Sequence, residues 1–153
     1  MALRRIRTDG EEILRKKSKE IDNINERIIT LLNDMAETMY ENDGVGLAAP
    51  QVGVLKCAIV IDVENGKGLI KLINPKIVFE EGEKCDAEGC LSIPGVSGEV
   101  KRPERVMVEA LDLNGKQIVI EGKGLLARAL CHEIDHLNGI LFKDKVIRYI
   151  DSC

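Results

Sequence analysis

Apolar residues recur at helical spacing over Ile24–Tyr40, where Ile24, Ile28, Leu31, Leu32, Met35 and Met39 fall on one face of a 3.6-residue repeat. The pattern predicts an amphipathic helix whose stripe, methionines included, faces a core rather than a ligand. Asp22 and Asn23 stand before it as caps, and Asn42-Asp43-Gly44 ends it. A second helix is expected over Lys123–Asn138, with Leu125, Leu126, Ala129 and Leu130 apolar and Gly139 closing it. Between the helices the period changes. Cys57–Val63 is a β-branched run that reads as a strand, followed by the turn Glu64-Asn65-Gly66. Leu69–Asn74 and Ile77–Phe79 read as two more strands, separated by Pro75. Arg105–Leu113 and Gln117–Ile120, joined across Asn114-Gly115, form a hairpin. Gly44–Gln51 reads as a glycine-rich loop passing close to something, and Glu80–Gly98 as the longest irregular stretch. This order predicts an α+β fold: mainly antiparallel strands packed around a C-terminal helix, with an N-terminal amphipathic helix. No repeat or linker interrupts it, so residues 1–153 are expected to form a single catalytic domain.

Composition narrows the class. With 44% hydrophobic and 31% charged residues the chain is globular rather than disordered. Aromatics are 3% and Trp is absent, so the core is built from Ile, Leu, Val, Ala and Met. A net charge of −4 argues against nucleic-acid binding, and the basic stretches Arg4–Arg7 and Arg15–Lys19 lie among acids as solvated surface. MALRRIRTDG has no apolar run after its charges, so a secretory signal is not expected, and no stretch of about 18 apolar residues would cross a membrane. Five cysteines, at 57, 85, 90, 131 and 153, are odd in number and unevenly spaced. That argues for reduced thiols in the cytoplasm, packed, metal-bound or catalytic rather than disulfide-bonded.

The two histidines of the chain stand in His132-Glu133-Ile134-Asp135-His136, inside the second expected helix. Residues four apart share a helix face, so both imidazoles reach one metal ion. A catalytic site of this kind takes three protein ligands and leaves a position for water. Six residues beyond His136, where one zincin pattern has a histidine, stands Phe142, so the third ligand is a carboxylate or a thiolate. Asp144 and Asp151 crowd the helix end. Cys131 is rotated about 100° from His132 on the helix, Cys57 sits in an apolar strand and Cys153 is terminal; these three read as packed or incidental. Cys85 and Cys90 share the irregular stretch, and although Glu88 and Gly89 favour Cys90, spacing leaves both open. Glu133, beside a ligand, suits proton transfer from water to a leaving nitrogen. Asp135 faces away, toward solvent or as a partner to a ligand. The set predicts hydrolysis of an amide-like bond. A peptidase of the HExxH type and a metal-binding or redox-sensing module without turnover are the rival readings.

Three segments in order, Gly44–Gln51 (GVGLAAPQ), Glu88–Ser92 (EGCLS) and His132–His136 (HEIDH, continuing Leu137-Asn138-Gly139), resemble the peptide deformylase family. The similarity runs from Ile13-Leu14-Arg15 to the second helix. The resemblance implies removal of the formyl group from the N-terminal formylmethionine of new proteins, releasing formate. It implies Cys90, His132 and His136 as metal ligands and Glu133 as general base and acid. It implies the Gln51 side-chain amide and the Leu91 backbone N–H as donors to the developing oxyanion. Val45, Glu88, Leu125 and Ala129 match the methionine pocket, and Gly46 a position where backbone meets the substrate peptide. Arg128, near this wall, is expected to point outward. The implied cofactor is one divalent ion, Fe(2+), with Zn(2+), Ni(2+) or Co(2+) as alternatives on the same donors. The implied partners are formyl-Met nascent peptides, with transient proximity to the ribosome and the chain monomeric. The fourteen residues after Gly139 leave short or missing the C-terminal helix that some family members use for ribosome docking.

Overall fold

The structure, a computed structural model, describes residues 2–64, 66 and 68–150. A 3₁₀ turn at Glu12–Arg15 precedes helix α1 (Glu26–Glu41), strand β1 (Gly46–Ala48) and a second 3₁₀ turn, Ala49–Val52. Strands β2 (Ala58–Ile61), β3 (Ile70–Glu81), β4 (Lys84–Cys90), β5 (Ile93–Arg102), β6 (Arg105–Leu111) and β7 (Gln117–Lys123) follow. Helix α2 (Leu125–Leu137), a 3₁₀ turn at Phe142–Asp144 and strand β8 (Val146–Ile150) complete the order. Two sheets result, of order β1-β2-β3-β6-β7 and β4-β5-β8, with every pair of adjacent strands antiparallel. The fold is α+β.

Strand β2 separates the two main cores. Ala58 and Val60 join Leu32, Met35 and Met39 of α1, whereas Ile59 and Ile61 join Leu126, Leu130 and Ile134 of α2. Successive side chains of a strand point to opposite faces, so a strand covered on both faces reads as an unbroken apolar run. Burial of these side chains supplies the main driving force, at roughly 1.5–3 kcal/mol for each large aliphatic group.

The structure departs from the sequence pattern at five places. The cap of α1 is Asn25, whose Oδ1 accepts from the Ile28 N–H at 3.2 Å, rather than Asp22 or Asn23. Part of Gly44–Gln51 is regular, pairing through β1 with β2. Pro75 does not divide a strand: β3 passes through it, with a register shift between Ile73 and Lys76. Asn74 makes this possible, turning to φ 52° while its amide clasps both the N–H and the carbonyl of Ile21 (2.8 and 2.9 Å). A bulge there relieves the ladder of the donor that proline lacks. The stretch 80–98, expected to be irregular, forms most of a hairpin of β4 and β5, closed by the two residues Leu91 and Ser92. Finally, a strand that the sequence pattern does not mark follows α2: β8 pairs with β5 from Ser97↔Ile150 to Val100↔Val146. Cys153, Asp151 and Asn65 lie outside the described residues.

Candidate active site

Helix α2 lies against the five-stranded sheet with eleven of its thirteen residues buried, among them His132, Glu133 and His136. The 3.6-residue repeat puts the two imidazoles one above the other, and their Nε2 atoms are 3.2 Å apart. Cys90 closes the group from the last position of β4, with Sγ 3.4 Å from His136 Nε2. Strand alternation puts Glu88 and Cys90 on one face of β4 and Cys85 on the other, where it is exposed. Among the described residues, Cys90, His132 and His136 are the group able to hold a metal ion.

The spacing fits such an ion. Ligand atoms about 2.0–2.3 Å from a tetrahedral centre stand about 3.3–3.6 Å from one another, close to the 3.2 and 3.4 Å observed. Burial drives the His136 imidazole well below its ordinary pKa, which keeps a lone pair available. His132 Nδ1 lies 2.8 Å from Glu88 Oε1. Because an ionised carboxylate only accepts, Nδ1 carries the proton there and Nε2 is left free to ligate.

Glu133 projects into the same space. It is buried, its Oε1 has no hydrogen-bond partner among the described residues, and burial pushes its carboxyl up to about 7. A carboxyl poised near neutrality suits exchange of a proton with water. Gln51 is also buried. Its Oε1 accepts from the Ala48 N–H (2.9 Å), and its Nε2 donates to Ser92 Oγ (3.0 Å) and lies 3.5 Å from Cys90 Sγ. Leu91 sits at the β4–β5 turn beside Gly44, where a Cβ would stand 2.7 Å from its Cδ1.

These groups open into a cleft of about 620 Å³ lined by Val45, Gly46, Gln51, Leu91, Leu125 and Ala129, with Glu88, His132 and Glu133. Val45 and Leu125 are exposed at its rim, as apolar side chains waiting for cover. A larger hollow of about 810 Å³, beside the start of α1, contains no histidine or cysteine. Cys131 faces the core, where burial raises its thiol to about 11. Asp144 pairs with Arg15 at 2.5 Å.

Arg128 does not point outward. It is buried, and its guanidinium reaches Glu88 Oε2 (2.6 Å) and the carbonyls of Val100 and Lys84. A second buried arginine, Arg102, grips Glu88 through Nε and Nη2 (2.8 and 3.0 Å) and Asp135 through Nη1 (2.6 Å). Sequence reasoning missed Arg102 altogether, and nothing local marks it. Arg128 did leave a signal, since an arginine on an apolar helix face is stable in the interior only when paired. Burial favours a neutral Glu88, but hydrogen bonds from His132 and Arg102 outweigh it and hold the carboxyl well below its ordinary range.

Among the described residues no helix is long and apolar enough to cross a membrane. The family model for polypeptide deformylase matches residues 3–150. A peptide deformylase of Acetivibrio thermocellus is 72% identical over 152 residues, covering 99% of this chain and 88% of its own. The crystal structure of a peptide deformylase from Legionella pneumophila superposes with a TM-score of 0.91 at 50% identity, covering 94% of this chain and 86% of the other. That of Synechococcus elongatus, solved in complex with actinonin, gives 0.88 at 46% identity, covering 92% and 77%. Agreement of sequence and fold over nearly the whole chain makes it a member of the polypeptide deformylase family, metal-dependent enzymes that remove the N-formyl group from nascent proteins.

Proposed function

We propose that Cys90, His132 and His136 hold one divalent ion, and that Glu133, Gln51 and Leu91 act on the formyl group beside it. The observation that carries this reading is the convergence of three ligand atoms and an unpartnered, buried carboxylate at one point of the cleft. When bound, such an ion supplies Lewis acidity, bringing the pKa of water toward neutrality and polarising a carbonyl oxygen. Glu133 takes the water's proton as oxygen adds to the formyl carbon. It then gives that proton to the methionine nitrogen as the C–N bond breaks, leaving formate and a free amine. The Gln51 amide and the Leu91 N–H donate to the formyl oxygen as charge gathers on it. Ala48 and Ser92 hold Gln51 in place from both ends, so its donor needs no reorganisation.

Strand β1 is a sheet edge, and Gly46 presents its backbone there to the substrate peptide. Val45, Leu125, Ala129 and the stem of Glu88 form the apolar pocket for the methionine side chain, suited to a flexible thioether. The ion is Fe(2+), with Zn(2+), Ni(2+) and Co(2+) as alternatives on the same donors. The chain works as a monomeric single domain in the cytoplasm, on formyl-Met nascent peptides near the ribosome.

The test is formate release from a short formyl-Met peptide by protein loaded anaerobically with Fe(2+), repeated with Ni(2+). Formate released from the formylated peptide, with no internal cleavage of its unformylated twin, is expected. Protein containing one metal per chain that released no formate would overturn the reading.

A further inference from the structure

Glu88 stands where four donors cross. Its Oε2 accepts from Arg102 Nε and Arg128 Nη1, at 2.8 and 2.6 Å. Its Oε1 accepts from Arg102 Nη2 at 3.0 Å and from His132 Nδ1 at 2.8 Å. An ionised carboxylate offers about four lone-pair directions, so none is left for substrate or water. All four residues are buried.

Two guanidinium groups, not one, meet Glu88. Arg102 is shared between two acids, Glu88 and Asp135, and Lys145 Nζ also reaches Asp135 Oδ2, at 3.0 Å. Arg128 brings a second guanidinium to Glu88 Oε2, and its other donors satisfy the carbonyls of Val100 and Lys84 on β5 and β4. A buried guanidinium with its donors engaged holds its partner rigidly, because any motion would leave a buried polar group unpaired.

Building on the metal-centre reading, we infer that Arg128 is a positioning residue for the metal site: it completes the lock on Glu88, and through Glu88 fixes the tautomer and ring plane of His132. With Arg128 removed, Oε2 loses a donor, and the buried Glu88 keeps as its one guanidinium partner Arg102, which it shares with Asp135. Glu88 then rocks about its remaining bonds, and the His132 Nε2 lone pair is no longer aimed at a single point.

The experiment compares wild type with Arg128→Leu and Arg128→Lys, each loaded with Co(2+), by the rate at which excess chelator strips the ion. The zinc-loaded forms give a second readout, the imidazole Nδ1–H proton resonance of His132. Arg128→Leu is expected to lose cobalt about tenfold faster, the lower end of what changes around metal ligands cost, with the Nδ1–H signal broadened by solvent exchange. Arg128→Lys, which keeps the charge but a single donor head, falls between it and wild type. A lower melting temperature with wild-type cobalt release and an unchanged Nδ1–H signal would reduce Arg128 to a purely structural part and overturn the inference. If Arg128→Leu does not fold, Arg128→Lys decides alone: faster release than wild type supports the inference, and an equal rate overturns it. Failure of the wild type itself to take up cobalt would instead overturn the metal-centre reading, and this inference with it.

Discussion

The Glu133 carboxylate fills the space that a side chain on Gly46 would need: a Cβ built there would stand 3.0 Å from both Cγ and Cδ of Glu133. Gly46 is not among the glycines with positive φ, so its backbone conformation is open to any residue. What demands glycine is the close approach of α2 to β1. Gly46→Ala is therefore expected to leave the fold and the bound metal in place while displacing Glu133. A misplacement on the order of 1 Å costs about 10²-fold in rate. Formate-release kinetics alongside metal content would check this; wild-type kcat in the alanine variant would show that Glu133 has room to spare.

Glu133 itself is expected to matter for turnover and not for metal retention, since none of its atoms belongs to the ligand group. Glu133→Ala should lower kcat by about 10²–10⁴-fold, the usual range for loss of a general acid–base group, with one metal still bound per chain. Elemental analysis of the purified variant separates the two effects. Activity within a fewfold of wild type would remove Glu133 from the reaction.

Alternation along β4 separates the two cysteines that spacing left open. Cys90→Ala is expected to strip most of the bound metal, because it removes one of three converging ligand atoms. Cys85→Ala, at an exposed position on the other face of β4, should leave metal content unchanged. Metal analysis giving the reverse order would move the third ligand to Cys85.

What the sequence disclosed and what it concealed divide along physical lines. The run 57–63 was legible because both faces of β2 are covered, so apolarity is continuous and needs no partner to be recognised. The Asn-Gly turn between β6 and β7 is a local signal, and its hairpin follows from residues side by side in the chain. Pro75 misled because the bulge that accommodates it depends on Asn74 meeting Ile21, fifty-three residues away. The hairpin of β4 and β5 was hidden because its inward face mixes Glu88, Cys90 and Arg102 with the aliphatic Ile93 and Val100. Alternation of hydrophobicity marks a strand only when one face is apolar. In the site, His132, Glu133 and His136 were legible because a helix repeats their geometry locally. Arg102, Ser92 and the inward turn of Arg128 depend on pairings 14 to 41 residues apart, which no local pattern records.

The pairing of Arg15 with Asp144 makes a prediction about stability and pH. Arg15 Nη1 and Nη2 reach the two oxygens of Asp144 at 2.5 and 3.1 Å, and the Leu141 N–H donates to Oδ2 at 3.1 Å. The Arg15 hydrogen bond is the main cause that holds the Asp144 carboxyl below its ordinary value of 3.8, with burial opposing it. A carboxyl depressed in the folded state binds fewer protons than the same group unfolded, so its stabilisation is present above the unfolded pKa, about 3.9, and is lost as pH falls through the folded one. Both side chains are more than a third exposed, at 43% and 37%, so the pair is worth no more than about 1 kcal/mol and weakens with salt. Urea unfolding of wild type and Asp144→Asn should therefore show a gap in stability at pH 7 that persists to about pH 5. The gap should close as the pH is lowered toward 3 and below. Because both proteins lose metal and protonate their other carboxylates alike, the difference isolates this one group. A gap that stayed constant or widened in acid would mean that the carboxylate charge is not what holds the turn after α2 to the start of the chain.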